Sequence, residues 1–235
     1  MFKKTPTIKY ESSFDFFPNL LTPAKSNIPD WYEKIPKWKN NEIFSLKNEL
    51  EHKTIKQCMP FFDTLTTGYM INLPFDLYVL NKNGIITITW KHDLKEEMID
   101  FRKELSINNI FPIGHYPVEF AWKFGCSFVV PKEYSVLVCH PLNRYDLPFT
   151  TFSGILEGGY IVSSNSNIPF YVKNGFEGII NKGTPIAQLI PFRQENWNSK
   201  IEKGLVEKGQ KNDKKSNLVF SGWYKKKYWK KKKYE

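Results

Sequence analysis

The stretch Trp223–Tyr234 reads WYKKKYWKKKKY and is the densest concentration of chemically active side chains in the chain. Lysine ammoniums neutralise phosphates, and aromatic faces stack on bases. The candidates for nucleic-acid contact are therefore Lys225, Lys226, Lys227, Trp229, Lys230, Lys231, Lys232 and Lys233. Each phosphate contact would add a salt dependence. Two other readings stand beside this one: a solvated, solubilising terminus, and a strand docked on its own domain or on a neighbouring subunit. Trp223, Tyr224, Tyr228 and Trp229 weigh against full solvation, because free tails seldom carry so many large aromatics.

Gly183–Phe192 reads GTPIAQLIPF, a turn followed by an apolar run with one polar member, Gln188. A buried amide must find partners, so Gln188 is expected to satisfy backbone groups on an edge or subunit-facing strand. Ser153 in FSGIL lacks the GxSxG elbow of a hydrolase nucleophile. Cys139 and His140 are neighbours on an expected strand end, where successive side chains take opposite faces and cannot easily cooperate. His52, His92 and His115 lack metal-ligand spacing. No phosphate-binding loop, dinucleotide fingerprint or calcium loop occurs.

The elements that must position these groups read as mainly β. The chain has 235 residues, 41% hydrophobic and 16% aromatic, enough for a sizeable core. Its net charge is +10, but the seven lysines and one glutamate from Trp223 onward account for all except +4. Residues 1–50 are expected to form an extended arm, broken by Pro6, Pro18, Pro23, Pro29 and Pro36, with one helical turn near Asp30–Lys34. Residues 51–192 carry short runs rich in Val, Ile, Phe and Tyr between Pro, Gly and Asn, which predicts an antiparallel sandwich or barrel-like domain. Asn83-Gly84 predicts a hairpin turn. Leu94, Met98, Phe101 and Leu105 have helical spacing. Residues 193–235 are expected to hold a helix over RQENWNSKIEKGLVEKGQ and then the basic aromatic tail. Three cysteines with no CxxC predict no disulfide framework and a reducing compartment. No leader pattern and no run of about 18 apolar residues is found, so no membrane span is expected.

PKEYSVLVCHPLNR, SGILEGGY, YIVSSNSNIPFYV and NKGTPIAQLI follow one another over Pro131–Phe192. This order resembles the core of the dUTPase and dCTP deaminase superfamily, whose fold is a β-clip, a distorted barrel. Gly154, Ile155, Leu156, Glu157 and Tyr160 fall on the family's hairpin motif, and Gly183, Ile186, Ala187, Gln188, Leu189 and Ile190 fall on its later strand. The resemblance implies a nucleotide- or phosphate-binding role for Gln188, Tyr160 and Arg144, and a catalytic role for Glu157 with Mg²⁺. The departures are physical. Glu157 stands where the family has aspartate, and a shift of about an ångström in a carboxylate costs on the order of a hundredfold in rate. Ile161-Val162 replaces the family's Arg-Gly. Leu142-Asn143-Arg144 replaces its phosphate loop, keeping a guanidinium that can hold an anion. The glycine-rich capping arm is replaced by the lysine tail. A catalytic reading requires Glu157, Tyr160, Gln188 and Arg144 to converge on one pocket.

A wider resemblance rests on IKQCMPFFDTLTTGYMINLPFDLYV, HPLNRYDLPFTTFSGILEGGY, GTPIAQLIPFRQENW and YKKKYWKKKKYE. Together these look like a protein family of tailed phages, notably those of marine bacteria, that carries no assigned activity. Where that pattern has Asp-Thr-Asp, this chain has Glu157-Gly158-Gly159. Asp63 and Asp76 flank TTGYMINLP; Asp76 in FDLYVL is similar to the acid of the superfamily's GYDLY strand and is either a metal-facing carboxylate or a strand-end acid. The resemblances imply a phage-encoded, non-catalytic β scaffold for assembly or binding, with no cofactor. They imply a homotrimer, phage particle proteins as partners, and a place in the host cytoplasm during infection or in the virion. The alternatives are a divergent Mg²⁺-dependent nucleotide hydrolase and a nucleic-acid-binding accessory protein that uses the tail.

Overall fold

The computed structural model describes residues 5–39, 54–91, 97–101, 112–218 and 223–235. Its elements are mainly strands, arranged in several antiparallel sheets around one apolar cluster; among the described residues no sheet closes on itself into a barrel. Among the described residues no helix is long and apolar enough to cross a membrane.

The first segment joins two sheets. Strand β1 (Lys9–Ser12) leads through the buried Phe14 and Leu20 to β2 (Leu21–Pro23). A 3-10 turn follows over Ala24–Asn27, and then helix α1 (Asp30–Lys34). Pro29 precedes α1 with extended dihedrals, as a residue before a helix start should. Helix α2 (Met59–Thr66) packs against it, with Tyr32 stacked on Phe61 at 5.8 Å between ring centres. The described part of the expected arm is thus built into the body.

Strand β3 (Tyr69–Asn72) follows, then the hairpin of β4 (Leu77–Lys82) and β5 (Ile85–Thr89). Asn83 and Gly84 both take positive φ, 53° and 85°, the geometry whose twist matches a two-residue hairpin. Leu77, Val79, Ile86 and Ile88 face inward at alternate positions. Strand β6 (Ile99–Phe101) lies where helical spacing predicted a helix. Ile99 pairs with Trp122 and Phe101 with Phe120, so long-range strand pairing overrides the local period. Leu94 and Leu105 of that expected helix lie outside the described residues, as do His52 and His92.

Strands β7 (His115–Lys123), β8 (Cys126–Val129), β9 (Tyr134–Cys139), β10 (Phe149–Thr151), β11 (Gly154–Glu157), β12 (Asn167–Lys173), β13 (Gly178–Ile180) and β14 (Pro185–Arg193) complete the sheets. The largest sheet runs β11-β9-β14-β3-β2 and a second runs β10-β12-β7-β6. β13 extends the hairpin to β13-β4-β5, and β1 pairs with β8. Trp122 stacks on Phe170 at 3.6 Å with Phe149 edge-on, an aromatic centre for the second sheet. Thr151 links the two larger sheets: its hydroxyl accepts from Trp122 Nε1 (3.0 Å) and donates to the Ile186 carbonyl (2.7 Å). That carbonyl lies at a register shift in β14, where regular pairing fails and another donor is needed.

After β14 the chain runs without regular structure from Gln194 to Lys203. Helix α3 (Leu205–Leu218) starts later than the expected helix, beyond a turn in which Gly204 takes φ 83°. Asn196, Asn198 and Ser199 compete for backbone hydrogen bonds and disfavour helix before that point. Helix α4 (Trp223–Lys227) opens the tail. Cys58, Cys126 and Cys139 are free, and burial pushes the last two thiols up, to about 12 and about 11.

Candidate functional site

Gln188 sits on β14 between β9 and β3, opposite Cys139 on one side and Met70 on the other. It is therefore on a central strand and not on an edge, and it is fully buried. Its partners fix the amide's orientation. Oε1 accepts from the Leu142 N–H (2.8 Å), and Nε2 donates to the carbonyls of Thr64 (2.9 Å) and Thr67 (2.7 Å). Both amide hydrogens are used, and none is left for a phosphate. The side chain clamps the end of α2 to the loop after β9.

That loop, Pro141–Asp146, is held at each turn. Asn143 takes φ 60° and its amide donates to Thr64 Oγ1 (2.6 Å). The Thr151 N–H donates to His140 Nδ1 (3.3 Å), so Nε2 carries the proton and donates to the Arg144 carbonyl (3.2 Å). Burial, with the nearby Lys173 and Arg144 charges, holds the imidazole below its ordinary pKa, against the raising effect of the Arg144 carbonyl. The Arg144 side chain is 11% exposed. It forks onto Asp146, with Nε 2.9 Å from Oδ1 and an Nη2 contact of 2.8 Å to Oδ2, and its Nη1 donates to the Asn27 carbonyl (3.3 Å). Trp31 Nε1 donates to the same carboxylate (3.1 Å). Burial raises the Asp146 carboxyl, but the Arg144 hydrogen bonds and charge, with Trp31, outweigh it and hold it below its ordinary value. Arg144, Asp146, Trp31, Lys173 and Lys182 border a cleft of about 1330 Å³. Three of the five N–H donors of the Arg144 guanidinium are engaged by the chain's own groups.

Glu157 is elsewhere. On β11 it lies opposite Ser135, while Gln188 lies opposite Cys139. Those positions are four residues apart along β9, about 13 Å of strand. Glu157 Oε2 accepts from Ser135 Oγ (3.1 Å) and from Gln194 Nε2, whose amide also donates to Ser135 Oγ (2.8 Å). Gly158 has a steric reason: a Cβ there would lie 2.1 Å from the Tyr134 carbonyl oxygen and 2.2 Å from that of Pro131. Gly158 thus serves close backbone approach, while Gly159 takes φ 78° against the Lys132 side chain. Tyr160 is exposed on the turn beyond. The four expected site residues fall in two places, Gln188 with the Arg144 loop and Glu157 with Tyr160, and do not line one pocket. Ser153 is exposed after β10, and His115 bonds Thr150 Oγ1 (2.8 Å). Asp76 accepts from the Lys182 N–H (2.6 Å) and holds a turn. Among the described residues no group of three or more His, Cys, Asp or Glu is gathered as a metal site.

The tail is docked on its own body. Trp229 Nε1 donates to Asp63 Oδ1 (3.0 Å), and Lys232 pairs with Asp63 Oδ2. Tyr234 packs edge-on to Tyr69, 5.8 Å between centres, and Tyr69 Oη donates to the Glu235 backbone oxygen (3.3 Å). Burial first, and then the Glu235 charge, raise the Tyr69 phenol. The tail's path is one helical turn and then irregular chain, not a strand. Lys225, Lys226, Lys227, Lys230, Lys231, Lys232 and Lys233 are all exposed. The partnership of Asp63 with Trp229 had no signal in the sequence beyond the tail's own aromatics. No protein-family model matches the chain, and no curated protein matches it either.

Proposed function

We propose that the chain is a non-catalytic β scaffold that works by binding and assembly. The commitment of Gln188 carries this reading: the one buried amide on the expected phosphate strand holds three backbone groups of its own chain. Several large apolar groups stand outward. Ile155 on β11, an edge strand of the largest sheet, is 60% exposed, and Ile161 beyond it is 67% exposed. Trp197 and Ile201, on the irregular segment after β14, are 86% and 95% exposed. Large apolar side chains set in open solvent on an edge and an extended segment favour association. The adjacency of β11, β9 and β14 supports a dUTPase-like clip as the underlying scaffold, and the sequence resemblance supports a tailed-phage source and a homotrimer. In this reading the protein acts in the host cytoplasm or in the virion, with particle proteins as partners.

Sedimentation equilibrium together with a thermal-shift panel of nucleotides, with and without Mg²⁺, tests it. A ligand at a hundred times its dissociation constant stabilises by about 2.7 kcal/mol, or roughly 5–10 °C in a domain of this size. The expected result is a stable oligomer, weakened by Ile161→Asp with Trp197→Asp, and no nucleotide shift. A monomer, or a selective nucleotide shift lost in Glu157→Ala, would overturn the proposal.

A further inference from the structure

The tail is fixed at one end and open along the rest. Trp229, Lys232, Tyr234 and Glu235 hold it to Asp63 and Tyr69, so its cations are not those of a free random chain. Lys225, Lys226, Lys230, Lys231 and Lys233 are exposed and form no ion pair among the described residues. From Trp223 to Tyr234 there is no acidic residue. The aromatics divide by job. Trp229 and Tyr234 are turned to the body, while Tyr224 and Tyr228 are 47% and 50% exposed. The Tyr228 N–H donates to the Tyr224 carbonyl (2.9 Å), so the two tyrosines sit one helical turn apart on one face. Lys227 Nζ lies 4.7 Å from the centre of the Trp223 ring and 5.7 Å from that of Tyr228, so it bridges the tail's aromatics.

We infer that Trp223–Lys233 is a binding site for single-stranded nucleic acid, in which Tyr224 and Tyr228 stack on bases while the unpaired lysines neutralise the backbone. Every base offers a π-face, so such a platform tolerates any sequence. A duplex keeps its bases stacked on one another and would use the lysines alone. An acidic vesicle or an acidic protein would likewise use the lysines and leave the tyrosines without a role. This site stands apart from the assembly reading and does not depend on it.

The test is fluorescence anisotropy on the full chain, with a labelled oligothymidylate of about 20 nucleotides, over about 50–200 mM salt. A duplex of equal length and phosphatidylserine vesicles are run beside it. The oligothymidylate is expected to bind more tightly than the duplex. Lys225→Gln, Lys226→Gln, Lys230→Gln and Lys231→Gln together should reduce the slope of log affinity against log salt by about 3, at about 0.7 per lost single-strand contact. Tyr224→Ala with Tyr228→Ala should weaken binding by on the order of tenfold or more with the slope unchanged. Circular dichroism and a melting curve confirm that both variants keep the fold. No measurable oligothymidylate binding at the lowest salt overturns the inference. So does equal binding of duplex or vesicles with no effect of the tyrosine pair, which would leave a plain polycation.

Discussion

Trp229 Nε1 donates to Asp63 Oδ1 over 3.0 Å, joining positions 166 residues apart and seating the basic tail on helix α2. The same carboxylate takes Lys232. Asp63 is thus a single point of attachment for two tail residues. Asp63→Ala is expected to release the tail, and limited trypsin digestion at Lys225–Lys233 should then run several-fold faster than in the parent chain. Asp63→Asn keeps an acceptor for Trp229 and should be intermediate. The half-exposed Lys232 pair is screened by solvent and contributes the smaller part. Equal digestion of all three proteins would show that the tail is not held there.

Removing the clamp at Gln188 has a larger expected cost. Gln188→Ala strands the Leu142 N–H and the carbonyls of Thr64 and Thr67. Each unmet buried group costs about 1–3 kcal/mol, so a loss of at least about 3 kcal/mol is expected. That corresponds to a fall of about 6–12 °C in the melting temperature, read by differential scanning calorimetry. A melting temperature within a degree or so of the parent's would refute this assignment.

Gly158 and Gly84 offer a controlled comparison. Gly84→Ala meets no atom within 4 Å but keeps a φ of 85°, so about 1 kcal/mol of backbone strain is expected. Gly158→Ala drives its Cβ into two carbonyl oxygens and must displace the β8–β9 turn or the β11 end, at a cost above that of Gly84→Ala. Urea midpoints of the two variants should rank in that order.

Stability should fall on the acid side in two separate windows. The His140 pKa in the folded chain lies below its ordinary 6.5 because the ring is buried. A depressed folded value means that the stabilisation is complete above about 6.5 and is lost as pH falls through the folded value, since unfolding lets the ring take a proton. Asp146 follows the same sign below its ordinary 3.8, where protonation breaks its pairing with Arg144. Melting temperatures from pH 7.5 to 5 should therefore decline, and His140→Gln should flatten that decline. An unchanged slope in the variant would assign the decline to other groups.

What the sequence revealed was mostly local. Asn83-Gly84 announces its hairpin because the turn's φ values demand those residue types. Pro29 and the acids after it mark α1. The strand of Gly183–Phe192 was readable, and so was the need of Gln188 for backbone partners. Its placement was not, because those partners are up to 124 residues away. The spacing of Met98 and Phe101 suited a helix until β7 supplied a strand partner. The fourfold set of Glu157, Tyr160, Gln188 and Arg144 was legible as residue types. Only the register along β9, which puts Ser135 and Cys139 opposite different members, separates them in space.

Helix α2 packs on the earlier Tyr32, but among the described residues the side chains that hydrogen-bond it from other elements are all ones that a ribosome delivers later. Asn143 and Gln188 reach Thr64, Gln188 reaches Thr67, and Trp229 with Lys232 reaches Asp63. At about 5–20 residues per second, the interval between the emergence of Asp63 and that of Trp229 is on the order of 10–30 s. Through that interval the helix has its apolar face but lacks its clasps, and each arriving segment closes one. Of these clasps, the lysine-bearing segment is thus the last to leave the ribosome.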